Sequence, residues 1–183
     1  MQNNTVIESK LLSTKKVFQA KYFHVDEIVV SKEGKEFTKD LITWAPVVLI
    51  IPYTKEGDIY CEMQWRDAFG KINFEVVAGH TEPSEDLLVA AKRELKEETG
   101  LTAKTWKQIA SWNVNANLRA RITIFAATDL TEGESSLDED ESLALVKISL
   151  SDALNKIETG EMGAATHIAA LLLFDKMKRE GKI

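Results

Sequence analysis

The chain has 183 residues, of which 44% are hydrophobic and 28% charged, and its formal net charge at pH 7 is −6. This length and composition are typical of one globular domain, or of one domain with a small N-terminal extension. No basic stripe of the kind that nucleic acids require is evident, so we expect no nucleic-acid partner. A small phosphorylated substrate is compatible with the acidic balance, because bound divalent metal ions can reverse the local field.

The start of the chain and its cysteine content indicate a compartment. The first ten residues, MQNNTVIESK, lack a basic-then-apolar signal pattern, and no apolar run approaches about 18 residues. Cys61 is the single cysteine, which excludes an intramolecular disulfide and favours a reducing compartment. It falls in a predicted strand, where a core position is expected rather than a nucleophile. We therefore expect a cytoplasmic protein with no membrane partner.

The predicted elements begin with strands. Residues 17–30 and 36–44 are rich in β-branched and aromatic residues, and the segment 31–35 between them contains Gly34, so a β-hairpin is predicted. Residues 47–51 form a continuous apolar run that suits a strand buried on both faces. Further strands are predicted at 59–66 and at 72–77, the second leading directly into Gly79.

A helix is predicted from about Ser84 to Thr99, with Ser84 as the N-cap and Gly100 just past the end. Its apolar face comprises Leu87, Leu88, Ala91 and Leu95. At about 100° per residue Glu94 falls at the edge of this face and Glu98 lies nearly on it, where a carboxylate is costly unless something positive lies against it.

Three glutamates of this helix, Glu94, Glu97 and Glu98, are spaced i, i+3, i+4, so their carboxylates can converge on one place. Hard oxygen ligands in such a cluster suit Mg²⁺ or Mn²⁺. The alternative is a solvated Glu/Lys helix face.

Downstream of this helix, strands are predicted at 105–114, 119–128 and 143–148, with an acidic loop at 129–142 before the last strand. Two helices close the chain, the first capped by Ser151 and the second running from about Gly163 to Lys178, with Ile168, Ala169, Leu172, Leu173 and Met177 on its apolar face. This order of elements favours an α+β fold in which a mixed β-sheet packs between helices.

Residues Gly79–Leu101, GHTEPSEDLLVAAKRELKEETGL, place Glu85 after a five-residue gap and Arg93-Glu94-Leu95-Lys96-Glu97-Glu98 after a further seven. Every position of the Nudix box is filled, and the chain resembles the Nudix hydrolases. Four weaker segments resemble the branch of ADP-ribose and nucleoside diphosphate sugar pyrophosphatases: QWR at 64–66, FEVVAG at 74–79, DEDES at 138–142 and TGEMGAATHIAALLL at 159–173.

The resemblance implies a Nudix fold, an α/β/α sandwich, with an N-terminal β-hairpin extension. Residues 1–44 would form this extension and residues 45–183 the hydrolase domain. In that branch the N-terminal strands commonly pair across a homodimer, which makes residues 1–44 a candidate dimerisation element. The alternative is a hairpin that belongs to the single domain.

The resemblance also implies residue roles. The carbonyl of Ala78 and the carboxylates of Glu94, Glu97 and Glu98 correspond to the metal ligands, and Glu97 also to a catalytic residue. Glu85 and Arg93 correspond to a structural and orienting pair, although helix geometry alone predicts no contact between them.

Arg66 corresponds to a substrate-binding arginine, with a surface charge at a strand end as the alternative. Glu139 aligns best with the general base, and Glu141 is the other candidate, or instead completes the metal site. A plain solvated loop is the alternative for both.

The segment after the box departs from this branch. Residues 114–118 contain no proline where a Ser-Pro-Gly segment is usual, and Val77 stands where a proline often precedes the Ala-Gly. Arg119 and Arg121 lie two apart on one predicted strand, share a face and could contact a phosphate. The departures bear on the substrate more than on the chemistry.

The resemblance thus implies a Mg²⁺- or Mn²⁺-dependent enzyme. We expect it to hydrolyse the pyrophosphate bond of a nucleoside diphosphate derivative, ADP-ribose or another nucleotide sugar, to a nucleoside monophosphate and a sugar phosphate. The alternatives are a nucleoside triphosphate pyrophosphatase that cleans the nucleotide pool and a non-catalytic nucleotide-sugar sensor.

Overall fold

A computed structural model describes residues 6–137 and 142–183, which form ten strands and three helices. The strands are β1 (Lys10–Gln19), β2 (Phe23–Lys32), β3 (Lys35–Trp44), β4 (Val47–Pro52), β5 (Asp58–Arg66), β6 (Lys71–Glu75), β7 (Val77–His80), β8 (Thr102–Asn115), β9 (Leu118–Thr131) and β10 (Leu143–Ser149). The helices are α1 (Leu87–Thr99), α2 (Leu150–Glu158) and α3 (Ala165–Arg179). No helix in the described part of the chain is long and apolar enough to cross a lipid bilayer.

The chain divides into two compact units, of which the first comprises the chain up to Ala45 together with Asn113–Arg121. Here β1, β2 and β3 form an antiparallel meander, and β3 pairs in parallel with the start of β9 through Ile42–Leu118 and Thr43–Arg119. The predicted hairpin corresponds to β2 and β3, which are joined by Glu33 and Gly34, both with positive φ.

The strand predicted over 17–30 is in fact the end of β1, a tight turn at 20–22 and most of β2. The turn is closed by a hydrogen bond from the Ala20 N–H to the Phe23 carbonyl (2.8 Å). It contains no glycine, proline, asparagine or aspartate to mark it, and every residue of β1 is exposed, so no burial pattern reveals the strand.

The second unit comprises Pro46–Trp112 and Ile122–Ile183. In it β4 lies between β9, which runs parallel to it, and β7, which runs antiparallel, while β8 pairs with β9. A separate antiparallel sheet has the order β10-β5-β6. The α+β class and the mixed sheet are therefore confirmed.

The strand predicted at 72–77 is two strands in two different sheets. It breaks at Val76, so that β6 pairs with β5 and β7 pairs with β4. Val76 and Val77 are both fully buried, and a run of apolar residues that stays buried across the break carries no sign of it.

The helices pack on opposite faces of β4 and β9. Val48 and Ile50 belong to the cluster that contains Ala91 and Leu95 of α1, and the alternate residues Leu49 and Ile51 to the cluster that contains residues of α2 and α3. This period-two alternation explains why residues 47–51 read as a strand buried on both faces. The α/β/α arrangement follows directly from it.

The two C-terminal helices differ in detail from the prediction. Helix α2 is capped by Ser149, whose Oγ accepts from the Asp152 N–H (3.1 Å), and not by Ser151. The buried face of α3 comprises His167, Ala170, Leu171 and Phe174, whereas Leu172 of the predicted face is 49% exposed. The predicted face was placed by its aliphatic residues alone, and it differs from the buried face because a histidine lies on the buried side.

Candidate active site

Helix α1 carries the box glutamates and is capped at both ends. The Asp86 carboxylate accepts from the N–H groups of Leu88 (2.9 Å) and Val89 (3.2 Å). Gly100 ends the helix in the left-handed conformation (φ 71°), and its N–H donates to the Lys96 carbonyl (2.9 Å). A Cβ on Gly100 would overlap the carbonyl oxygen of Gly133, so both backbone conformation and space require glycine here.

The helix begins at Leu87, three residues later than predicted, and its N-cap is Asp86 instead of Ser84. Ser84 has a positive φ of 65°, which is incompatible with helix entry there. Glu85 therefore lies in the turn before the helix, where its Oε2 accepts from the Glu82 N–H (2.9 Å). The position of Glu85 is therefore set by this turn and not by the helical repeat.

Arg93 is the centre of the charged cluster on this helix. Its Nε and Nη2 donate to the two carboxylate oxygens of Glu85 (3.0 Å each), and Nη2 also donates to the His80 carbonyl (3.0 Å). Its Nη1 contacts Glu94 Oε1 (2.9 Å) and Glu97 Oε2 (3.0 Å). One guanidinium thus gathers three of the box carboxylates.

The bidentate contact between Arg93 and Glu85 changes the pKa values of both groups. The hydrogen bonds from Arg93 lower the pKa of Glu85, and those same bonds raise the pKa of Arg93. The helical repeat alone could not predict this contact, because Glu85 lies outside the helix.

The box glutamates differ in burial as the helical repeat predicted. Glu98 is 7% exposed, while the side chains of Glu94 and Glu97 are 13% and 42% exposed. A Cβ on Gly79 would overlap the carboxyl group of Glu94, so glycine at this position lets that carboxyl lie against the backbone next to Ala78. The conformation of Gly79 is not left-handed, so close approach is the reason for this glycine.

These residues can be tested as ligands of a divalent metal ion. Across residues 6–137 and 142–183, no three His, Cys, Asp or Glu side chains are already gathered as a metal cluster. Glu94 and Glu97 instead face Arg93. The carboxylates of α1 and the cradle at Gly79, beside the Ala78 carbonyl, provide only hard oxygen donors. This donor set fits Mg²⁺ or Mn²⁺.

Arg66 lies at the end of β5 and is held by Glu75 of β6. Its Nε and Nη2 donate to the two oxygens of Glu75 (2.7 Å each), and its side chain remains 39% exposed. The hydrogen bonds that Arg66 donates to Glu75 raise the pKa of Arg66, and the charges of Glu75, Glu98 and Glu62 act in the same direction. Arg66 therefore lies within electrostatic reach of the buried box glutamate Glu98.

His80 interacts with both arginines. Burial lowers its pKa, and the charge of Arg66 lowers it further. The carbonyl of the same residue accepts a hydrogen bond from Arg93. The neutral imidazole adds no positive charge to the site at pH 7.

The remaining predicted site residues are two arginines of β9 and two glutamates of the acidic segment. Arg119 and Arg121 belong to the first unit and are exposed on either side of the buried Ala120, so they share a face of β9 as predicted. Glu139 and Glu141 lie outside the described residues. Just before them, the Ser136 N–H donates to the Glu97 carbonyl (2.8 Å), which fixes this part of the acidic segment at the C-terminal end of α1.

A model of the NUDIX domain family matches residues 43–171. The chain belongs to the Nudix family. It is similar to two proteins named ADP-ribose pyrophosphatase, one from Bacillus subtilis (29% identity, covering 85% of this chain and 86% of that protein) and one from Mycobacterium tuberculosis (25% identity, covering 76% and 69%). It is also similar to a methanol dehydrogenase activator from Bacillus methanolicus (28% identity, covering 84% and 85%).

Among solved structures, this Nudix protein resembles the crystal structure of an ADP compounds hydrolase. The TM-score is 0.85 at 21% identity, and the match covers 99% of this chain and 100% of the other. The Nudix fold expected from the box is therefore confirmed.

No role was predicted for three buried polar residues, Asn73, Glu75 and His167. Glu75 falls within the FEVVAG segment, and a glutamate flanked by Phe74 and Val76 is itself a signal, since an unpaired carboxylate is rarely tolerated in an apolar strand. Asn73 and His167 carry no comparable signal, because their burial depends on the packing of α3.

Proposed function

We propose that this Nudix protein is a divalent-metal-dependent pyrophosphohydrolase acting on a nucleoside diphosphate derivative. ADP-ribose or another nucleotide sugar is the first candidate, with a nucleoside monophosphate and a sugar phosphate as products. The Nudix domain and the two relatives named ADP-ribose pyrophosphatase support a pyrophosphohydrolase of that type. The observation that carries the proposal is the box cluster, in which Arg93 contacts Glu85, Glu94 and Glu97 and the Glu94 carboxyl lies against the backbone at Gly79.

The box residues would hold the metal. Glu94, Glu97 and Glu98, with the Ala78 carbonyl, would bind Mg²⁺ or Mn²⁺, which when bound neutralises phosphoryl charge and lowers the pKa of a coordinated water. Arg93 orients Glu94 and Glu97 through its Nη1. Glu85 in turn fixes Arg93 through two hydrogen bonds, so that these carboxylates are held before any ligand arrives.

Arg66 would bind the diphosphate. Two of its donors face Glu75, and the donors on Nη1 and the outer one on Nη2 face away from it. A guanidinium presented in this way can bind two phosphate oxygens at once.

The acidic segment would provide the general base. Glu139 is the first candidate and Glu141 the second, or Glu141 is an additional metal ligand. The hydrogen bond from the Ser136 N–H to the Glu97 carbonyl supports this assignment, because it anchors the described part of the acidic segment on α1. A general base in this segment would accept a proton from the attacking water.

Residues 1–44 are assigned by the family resemblance, and Arg119 and Arg121 by the face of β9 that they share. The two exposed arginines are proposed to contact a substrate phosphate, and the N-terminal strands to form a homodimer interface. Leu11, Leu12, Val17 and Phe18 of β1 are each 45–53% exposed. A terminal strand with this much exposed apolar surface supports pairing with a second copy. The single cysteine supports a cytoplasmic location.

The dimer is tested by sedimentation or by light scattering coupled to gel filtration. We expect wild type to be a dimer and a Leu12→Lys, Phe18→Lys double variant to be a folded monomer. A monomeric wild type at micromolar concentration would remove this part of the proposal.

The catalytic proposal is tested with a panel of nucleoside diphosphate derivatives and nucleoside triphosphates, in the presence of Mg²⁺. Released phosphate is measured after phosphatase treatment. Glu98→Gln, which keeps the side-chain shape, should lower kcat/KM by at least about a hundredfold on the preferred substrate. Glu158→Gln, on the exposed side of α2, is the matched control and should retain wild-type turnover.

The outcomes separate the candidate functions. Near wild-type turnover by Glu98→Gln at saturating Mg²⁺ would refute the metal assignment. Preference for nucleoside triphosphates would favour the nucleotide-pool alternative. Absence of hydrolysis by protein that binds Mg²⁺ would favour the sensor.

A further inference from the structure

A buried polar cluster supports Arg66. It comprises Asn73, Glu75 and His167, whose relative exposures are 0%, 3% and 8%. Buried polar groups are costly unless they are hydrogen-bonded, so a cluster of this kind is retained for a reason.

Asn73 uses both ends of its amide. Its Nδ2 donates to Glu75 Oε1 (2.9 Å), and its Oδ1 accepts from the Gly163 N–H (2.8 Å). The amide therefore joins the Glu75 carboxylate to the turn between α2 and α3. A Cβ on Gly163 would lie 3.2 Å from the same Oδ1, so this contact is close as well as polar.

The turn itself is fixed to β6. The Phe74 N–H donates to the Glu161 carbonyl (2.9 Å), and Lys71 Nζ donates to the Gly160 carbonyl (2.6 Å). Together with the Asn73–Gly163 bond, these contacts run along one edge of β6. The position of the Asn73 amide is thus set by the backbone.

Glu75 transmits this constraint to Arg66. Burial raises the pKa of the Glu75 carboxyl, but the hydrogen bonds from Arg66 and Asn73 and the nearby charges outweigh burial, so its pKa is lowered. His167 Nε2 lies 3.6 Å from Glu75 Oε2, beyond hydrogen-bonding distance. Both oxygens of the Glu75 carboxylate accept from Arg66, and Oε1 also accepts from Asn73, so the carboxylate constrains the orientation of the guanidinium.

We propose that Asn73 and Glu75 form a clamp, anchored on the turn between α2 and α3, that positions the Arg66 guanidinium for binding the diphosphate of the substrate. Both are positioning residues, because each acts through Arg66. The inference rests on the substrate-binding role of Arg66 in the proposed function. It assigns a role to the segment 159–163, which the proposed chemistry does not use.

The test is a double-mutant cycle with the full-length protein. Glu75→Gln and Asn73→Asp are both isosteric, and the second keeps the acceptor for Gly163 while placing an oxygen against Glu75. We expect KM for the hydrolysed nucleotide sugar to rise at least fivefold in each, with kcat changed less than twofold. Asn155→Ala, at an exposed position of α2, is the matched control.

The Arg66→Ala background distinguishes positioning from a general structural effect. If the clamp acts through Arg66, adding Glu75→Gln or Asn73→Asp to Arg66→Ala should change KM less than twofold. An equal rise in KM in both backgrounds, or no rise in the wild-type background, would overturn the clamp.

ADP binding measured by calorimetry gives a readout that does not need turnover. If the protein binds ADP but hydrolyses none of the substrates, the proposed reaction is wrong. The same double-mutant cycle, measured as Kd for ADP, then still supports or overturns the clamp. If Arg66→Ala changes neither KM nor Kd, the substrate role of Arg66 is wrong and the clamp is overturned with it. Thermal unfolding of each variant checks that the fold is intact, and if Glu75→Gln does not fold, the Asn73→Asp result decides.

Discussion

Gly79→Ala separates the arrangement of the site from the stability of the fold. The added Cβ would overlap the carboxyl group of Glu94, and Cδ, Oε1 and Oε2 are the three atoms nearest to it. The carboxyl is the end of a flexible side chain, so it can rotate away. The backbone tolerates alanine, because the φ of Gly79 is not positive.

We therefore expect Gly79→Ala to impair metal binding and activity more than stability. Rotating one side-chain end should change the free energy of unfolding by less than about 1 kcal/mol, which shifts Tm by less than about 4 °C in a protein of this size. Moving Glu94 from its place beside Ala78 should weaken divalent-metal affinity and lower kcat/KM by about 10–100-fold.

The measurements are Mn²⁺ affinity by calorimetry, kcat/KM and thermal unfolding of the same preparation. Glu94→Ala supplies the internal control, because without its carboxyl there is nothing for the new Cβ to overlap. Adding Gly79→Ala to that variant should change Mn²⁺ affinity less than twofold. Wild-type affinity and activity in the single Gly79→Ala variant would refute the reasoning.

Two further predictions concern stability. In Gly100→Ala the alanine would have to adopt a left-handed conformation, and its Cβ would overlap the Gly133 carbonyl oxygen, a backbone atom that cannot rotate away. We expect the free energy of unfolding to fall by about 2–4 kcal/mol and Tm by about 5–15 °C, and a Tm within 2 °C of wild type would contradict this. Burial lowers the pKa of His167 in the folded protein more than the neighbouring Glu75 raises it. As the pH falls below about 6.5, the imidazole of His167 is therefore protonated in the unfolded chain before it is protonated in the folded one. Wild type should therefore lose stability from that pH downward, by at most about 1.4 kcal/mol per pH unit from this group, and His167→Gln should lose less, as followed by urea unfolding between pH 7.5 and 5. Parallel pH profiles would show that His167 makes no such contribution.

The box helix shows where the sequence is informative. Its period of about 100° per residue correctly predicted that Glu98 is buried and that Lys92 and Lys96 are exposed, because position on a helix face depends only on spacing. The start of the helix was predicted wrongly because Ser84 and Asp86 are both good N-caps, and only the conformation of the preceding turn decides between them.

Contacts between elements were beyond the sequence for a different reason. Glu85 reaches Arg93 because it precedes the helix, and Glu75 reaches Arg66 because the pairing of β5 with β6 puts both side chains on one face of the sheet. Such contacts depend on strand register and turn geometry, which local periodicity does not encode. The family resemblance named Arg66 and the pair of Arg93 with Glu85, but not Glu75, the carboxylate that holds Arg66.

The charge distribution explains how an acidic protein can bind a polyphosphate. In the described part of the site, two guanidinium groups, Arg66 and Arg93, interact with six carboxyl groups: Glu62, Glu75, Glu85, Glu94, Glu97 and Glu98. His80 and His167 do not change this balance at neutral pH, because burial lowers the pKa of both. A diphosphate would be repelled by this excess of carboxyl groups, whereas a divalent cation is attracted to it and then presents positive charge to the phosphates. The arginines bring the carboxylates together, and the remaining negative charge favours a metal ion as the partner through which substrate binds.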